Sequence, residues 1–249
     1  MGKEIGMLFS GEMVRAILDG RKTRTCRIIN PQPRVILAQY YDGSIETNQI
    51  FRHGDQRLHC RVHPGDRIYV RETFAYAESP EYPANRDYKP VDTNFIYPVE
   101  TDGKVYVIYR ADGDTSWGSF DGDNLNKDGT EKSYWRPSIH MPRWAARIRL
   151  VVTEVKAQRP QDLTDEEIMA EGIAALTKDG NLVKYGLATQ NKLGELLPLG
   201  GEWAWNEWKH SPREAWRKLW TQCYGPEAWE KWCWAISFKR IEVRGNGDE

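Results

Sequence analysis

The sequence predicts an α+β fold built around a curved or barrel-like sheet. Three observations carry this expectation. Segments rich in β-branched and aromatic residues recur along the chain, at 65–76 (GDRIYVRETFAY), 105–110 (VYVIYR), 146–158 (ARIRLVVTEVKAQ) and 234–243 (WAISFKRIEV). Only a few stretches carry the helical period of apolar residues, and strands and helices do not alternate as a parallel βα sheet requires. At 249 residues the chain can bury a substantial core. It reads as one elaborated domain over 1–249, with loop-like insertions near 77–103, 111–138 and 174–201.

Each element follows from its local pattern. Met7-Leu8-Phe9 is a short apolar strand, Ser10 reads as a helix N-cap, and Glu12 stands in the first turn where the helix dipole favours an anion. Met13, Val14, Ile17 and Leu18 share one helical face, and Gly20 is placed to end the helix in a left-handed conformation. The next residues, GRKTRTCR (20–27), therefore leave a helix C-terminus as a turn or strand. In 146–158, Ile148, Leu150 and Val152 alternate with Arg147, Arg149 and Val151, the pattern of one buried and one wet face. LTDEEIMAEGI (163–173) is a short helix with Thr164 and Glu167 as a capping box and Gly172 as its stop. SPREAWRKLWTQCYG (211–225) is an amphipathic helix carrying Trp216, Leu219 and Trp220.

Composition narrows the function. Thirty-five Lys and Arg against 36 Asp and Glu leave a net charge of −1, which argues against a protein held to nucleic acid by its overall field. Basic residues do outnumber acidic ones over 1–75, so any such contact is local. The four cysteines, Cys26, Cys60, Cys223 and Cys233, form no CxxC pair and read as reduced thiols. His59, Cys60 and His63 lack a complementary ligand pair, and NLNKDGTEKSYW (124–135) begins like a calcium loop but ends on Trp135 instead of Glu. No metal or other cofactor is expected. Without a signal-peptide core or a run of ~18 apolar residues, the expected location is the cytoplasm, away from membranes.

The candidate chemistry centres on GRKTRTCR. Lys22 and Thr25 stand three apart and can reach one pocket, where a lysine can activate a threonine hydroxyl that is a weak nucleophile alone. Arg21, Arg24 and Arg27 can hold a phosphate or a developing oxyanion. A basic turn after a helix also simply complements the negative end of the dipole, and spacing leaves both readings open. Glu171 precedes the helix-stopping Gly172, so its carboxylate stands at the negative helix end where a cation is expected. That conflict suits a general acid/base, though a surface glutamate tolerates it too. Arg71 and Glu72 read as a surface pair or part of a pocket wall, and His140 as an acid/base, a base contact or a structural histidine. The tryptophans from Trp203 to Trp234 read mainly as core, with a ring available to stack on a base.

These residues resemble the ASCH domain family of the PUA-like superfamily, small β-barrels with flanking helices. The carriers are a helix ending in G-x-K-x-x-x-x-R, here Gly20, Lys22 and Arg27, and the GD-led strand from Gly65-Asp66. GRKTRT, the Leu163-Thr164 helix ending at Glu171, and the closing strand from Ala235 are similar to the small bacterial ASCH enzymes that hydrolyse N(4)-acetylcytidine. The resemblance implies Lys22, Thr25 and Glu171 as the catalytic trio and a metal-independent amidohydrolase. Over the full length the chain looks like larger ASCH-domain proteins of phages and prophages. Arg21, Arg24, Arg27, Arg71, Glu72 and His140 are the candidate substrate contacts beside that trio, and the same resemblance leaves a non-catalytic RNA-binding or modified-base-binding module as the alternative, in which Arg21 and Arg24 carry the binding. A weaker third possibility is a protein-binding surface in virion assembly or host defence.

Overall fold

The structure, a computed structural model, describes residues 2–33, 35–41, 44–51, 57–77, 91–92, 104–112, 135–177, 180–190, 195–199 and 206–241. In chain order the elements begin with β1 (Glu4–Leu8), α1 (Gly11–Leu18), β2 (Arg24–Ile28), β3 (Val35–Tyr41), β4 (Ser44–Phe51), β5 (Arg57–Leu58), β6 (Arg67–Arg71), β7 (Phe74–Ala77), β8 (Val91–Asp92) and β9 (Lys104–Tyr109). They continue with β10 (Arg149–Gln158), α2 (Asp165–Ala170), β11 (Ala174–Thr177), β12 (Val183–Gly186), β13 (Ala188–Gln190), β14 (Leu196–Pro198), α3 (Pro212–Tyr224) and β15 (Cys233–Ile241).

Five strands form the main sheet in the order β1-β6-β10-β15-β2, with β1 and β6 parallel and the remaining pairs antiparallel. The long β10–β15 ladder shifts register between Val152 and Glu154, an irregularity of the kind that bends a sheet. The side-chain period of two then builds a core on each face. Ile68, Val70, Leu150, Val152, Ile236 and Phe238 pack with Val14 and Ile17 of α1. Cys26, Cys233 and Ala235 pack with Ile168 of α2 and with Trp216 and Trp220 of α3. The expected burial of Ile148, Leu150 and Val152 is observed.

The α+β expectation holds, with a core made mainly of sheet and few helices. Among the described residues no ladder joins β1 to β2, so the sheet is open where a closed barrel would be sealed. The two edge strands are linked by side chains instead. The Arg27 guanidinium donates to the Leu8 carbonyl and lies over the Phe9 ring, 5.0 Å from its centroid.

Two expectations need correction. The strand foreseen over 65–76 divides into β6 and β7, because Glu72 turns inward, fully buried, to pair with Arg147 as the chain passes from one sheet to another. The segment 174–201, read as irregular, contains the hairpins β11–β12 and β13–β14. Their strands are only three or four residues long, too short for an alternating pattern to register. Most of the insertions near 77–103 and 111–138, with the calcium-loop-like stretch 124–134, lies outside the described residues. Among the described residues no helix is long and apolar enough to cross a membrane.

The short helix α2 is anchored through its capping box. Thr164 Oγ1 accepts from the Glu167 N–H, and the Glu167 carboxylate accepts from the Thr164 N–H. That carboxylate also takes Arg24 at 2.6 Å, Lys156 at 2.6 Å and the Gln158 amide at 3.0 Å, so it pins α2 to both β2 and β10. Burial acts to raise the Glu167 carboxyl, but the Lys156, Thr164 and Gln158 hydrogen bonds and the Arg24 charge outweigh it and hold the group down to about 2. Its folded value lies below an unfolded value of about 4.3, so its stabilising contribution is complete above about pH 4.3 and is lost as pH falls toward 2. Urea denaturation of the protein and of Glu167→Gln across this range should show a stability gap that narrows steadily with falling pH; a constant gap would refute this role.

Candidate active site

Two helix ends set the geometry. α1 closes at Gly20 with φ 76° and α2 at Gly172 with φ 102°, both in the left-handed region that favours glycine. Between them the chain from Arg21 to Thr23 is held on three sides. The Lys22 N–H donates to the Ala16 carbonyl at 2.9 Å, the Thr23 N–H to the Ala170 carbonyl at 2.9 Å, and the Thr23 carbonyl accepts from the Phe238 N–H at 2.8 Å. A Cβ at Gly172 would stand 3.1 Å from Ala16 Cβ and 3.4 Å from Lys22 Cβ, so the missing side chain is what admits this close approach.

Lys22 Nζ donates to the Glu171 carbonyl at 2.7 Å and to Glu171 Oε2 at 2.8 Å. Both residues are 3% exposed, which makes this a buried ion pair. The arrangement resolves the conflict at the end of α2. Glu171 is the C-cap, and the lysine ammonium supplies to both its carbonyl and its carboxylate the cation that the negative helix end favours. Glu171 Oε1 is buried and has no hydrogen-bond partner among the described residues. An unmet acceptor at this depth costs about 1–3 kcal/mol, more when charged, until a donor reaches it.

Lys22, Thr25 and Glu171 line one cavity of about 450 Å³, within the range of small-molecule sites. It opens at the unsealed seam of the sheet: Leu8, Phe9 and Ser10 border it from the end of β1, and Thr25, Cys26 and Arg27 from β2. α3 closes the other side with Trp216, Leu219, Trp220, Cys223 and Tyr224, a stripe at helical spacing. The rings of Trp216 and Trp220 are centred 5.3 Å apart, and those of Trp220 and Tyr224 4.5 Å apart. Each indole N–H is engaged, Trp216 with the Pro160 carbonyl and Trp220 with the Ala228 carbonyl, so the aromatic wall is fixed in place.

Two possible nucleophiles stand next to each other in this wall. A hydrogen bond with Cys233, burial and the nearby Glu171 charge push the Cys26 thiol well up, so it stays protonated at neutral pH and is a poor nucleophile. Thr25, 4% exposed, is the buried hydroxyl that shares the cavity with the Lys22–Glu171 pair, whereas the Ser10 hydroxyl is on an exposed residue and that of Tyr224 on a half-buried one.

The remaining sequence candidates divide sharply. Arg27 lines the cavity. Arg21 pairs with Asp19 at 2.7 Å and donates to the Gly172 and Ala188 carbonyls, while Arg24 is 5% exposed in its pair with Glu167. Both arginines brace the frame around Lys22 and neither lines the cavity. Arg71 donates to the Ile139 carbonyl. Glu72 accepts two bonds from Arg147, at 2.9 and 3.0 Å, and His140 is exposed at the end of a 3-10 turn; all three lie off the cavity. Among the described residues no group of three His, Cys, Asp or Glu is placed to hold a metal ion.

Sequence reasoning did not assign Glu12, Phe9, Cys26, Gln222, Cys223 or Tyr224 to the site, although all line the cavity. The available signal was the stripe on 211–225, whose apolar face is shared between core and cavity. Breaking a buried pair by removing one partner typically costs 3–5 kcal/mol. Lys22→Met and Glu171→Leu should each destabilise by about that amount, while the double variant, which leaves no unpaired charge, should recover much of the loss in chemical denaturation. Additive losses would show that the two groups do not act as a pair.

No family model, curated protein or solved structure matches the chain, so the site's own geometry carries the functional reading.

Proposed function

We propose that the chain is an ASCH-type, PUA-like domain acting in the cytoplasm as an amidohydrolase on an N-acylated cytosine nucleoside or a related modified base. The observation that supports this most directly is the convergence of Lys22, Thr25 and Glu171 on one cavity, with Glu171 Oε1 left without a partner in its wall. The aromatic side of α3 suits a planar base, and the unmet carboxylate oxygen suits an exocyclic N–H.

In this reading Thr25 Oγ attacks the acyl carbonyl carbon and its proton passes to the Lys22–Glu171 pair. The remaining N–H of Lys22 stabilises the oxyanion. Glu171 then delivers the proton to the exocyclic nitrogen as the C–N bond breaks, releasing the deacylated nucleoside and leaving the acyl group on Thr25. Water hydrolyses the threonyl ester and restores the hydroxyl. Arg27, held between the Leu8 carbonyl and the Phe9 ring, positions the substrate.

The alternative, a non-catalytic module for RNA or a modified base, draws on the same aromatic wall. It also needs the basic turn, of which Arg21 and Arg24 are both committed to protein partners. Purified protein incubated with N(4)-acetylcytidine should release cytidine and acetate. Thr25→Val should lower turnover by about 10³-fold or more and Glu171→Gln by about 10²–10⁴-fold, with binding retained, while Cys26→Ala should stay active. Binding without turnover by the unmodified protein would establish the module instead.

A further inference from the structure

A second cavity, of about 200 Å³, lies against the first, and Leu187, Leu199, Leu219 and Gln222 line both. α3 explains the adjacency. Trp216, Leu219, Trp220 and Cys223 face the larger cavity, whereas Ala215, Lys218, Leu219 and Gln222 face the smaller. These are neighbouring stripes on one helix, sharing Leu219 and Gln222 along their common edge. The two spaces are therefore separated by about one side chain, within the ~10 Å width of a helix.

The smaller cavity differs in chemistry. Trp208, 6% exposed, lies against Gly186 so closely that a Cβ there would come within 2.6 Å of the indole. The backbone of Lys209 is bonded both ways to Tyr185, at 2.8 and 2.9 Å, which anchors the stem of its side chain at the cavity wall. Lys218 supplies a second cation. Among the described lining residues Glu207 is the one carboxylate, and it pairs with Lys218 at 2.8 Å while 73% exposed. So exposed a pair is weakly held and readily exchanged. Among the described lining residues, two lysines against one glutamate give this pocket a net positive charge, and it is too small alone for a nucleoside and large enough for one anionic group.

We propose that this cavity is a phosphate subsite, so that the molecule bound across both spaces is a nucleotide and not a free nucleoside. Lys209 and Lys218 bind the phosphate, Lys218 exchanging Glu207 for it, and the sugar crosses the edge formed by Leu219 and Gln222. This rests on reading the larger cavity as the base pocket, but not on catalysis.

Calorimetric titration with unacylated cytidine, its 5′- and 3′-monophosphates and inorganic phosphate tests it independently of turnover. One of the monophosphates should bind about 10-fold or more tightly than cytidine and than inorganic phosphate, and the preference should shrink with added salt. Lys209→Gln and Lys218→Gln should each reduce that preference by about 3-fold or more and leave cytidine affinity unchanged. Equal affinity for cytidine and both monophosphates, a preference untouched by both variants, or inorganic phosphate binding as tightly as the monophosphates would overturn the subsite. Because no step requires hydrolysis, failure of the amidohydrolase reading would appear separately, as absent turnover of the acylated substrate.

Discussion

The buried contact between Lys22 and Glu171 is the constraint on which the rest of this site depends. Two charges removed from water are costly unless each is met closely, and here one ammonium meets both a carboxylate and the last carbonyl of a helix. That geometry requires the exit of α1 to touch the end of α2. Gly20 turns the chain out of the first helix, and Gly172 leaves room for the approach at the second. Backbone bonds from Lys22 and Thr23 to the two helices then fix the position of the lysine independently of its side chain.

Around this contact the basic residues have separate tasks. Arg21 ties the turn to the backbone after α2, and Arg24 ties β2 to Glu167 inside the same helix. Of the three arginines only Arg27 reaches the cavity, beside Lys22, and it does so while linking the two edge strands of the open sheet. A cluster that looks like one positive patch in sequence divides into two internal braces, Arg21 and Arg24, and two cavity-lining members, Lys22 and Arg27. This arrangement spends most of the cationic charge on rigidity, which a preorganised site needs more than it needs field strength.

The open seam between β1 and β2 gives the site its location. A strand edge leaves backbone polar groups unpaired, and proteins cover such edges with side chains, helices or ligands. Here Arg27 bridges the seam at one point, while α3 covers the rest at a distance that leaves a cavity instead of a core. The aromatic stripe of α3 therefore packs against Leu163, Ile168 and Cys233 and also walls the cavity. One helix face supplies both stability and a surface for a planar ligand.

Much of the local structure was legible because its causes are local. Gly20 and Gly172 as helix stops, the Thr164–Glu167 capping box, and the alternation of Ile148, Leu150 and Val152 all depend on neighbours within a few residues. The sequence by itself also singled out Lys22, Thr25 and Glu171, from spacing and from a carboxylate at the wrong helix end. What only the tertiary structure decided is that these three share a cavity, that Arg24 points to Glu167 and away from it, and that β1 and β2 leave a seam for it to occupy. Those outcomes depend on partners up to 149 residues apart, brought together by packing across a sheet whose curvature no local pattern specifies.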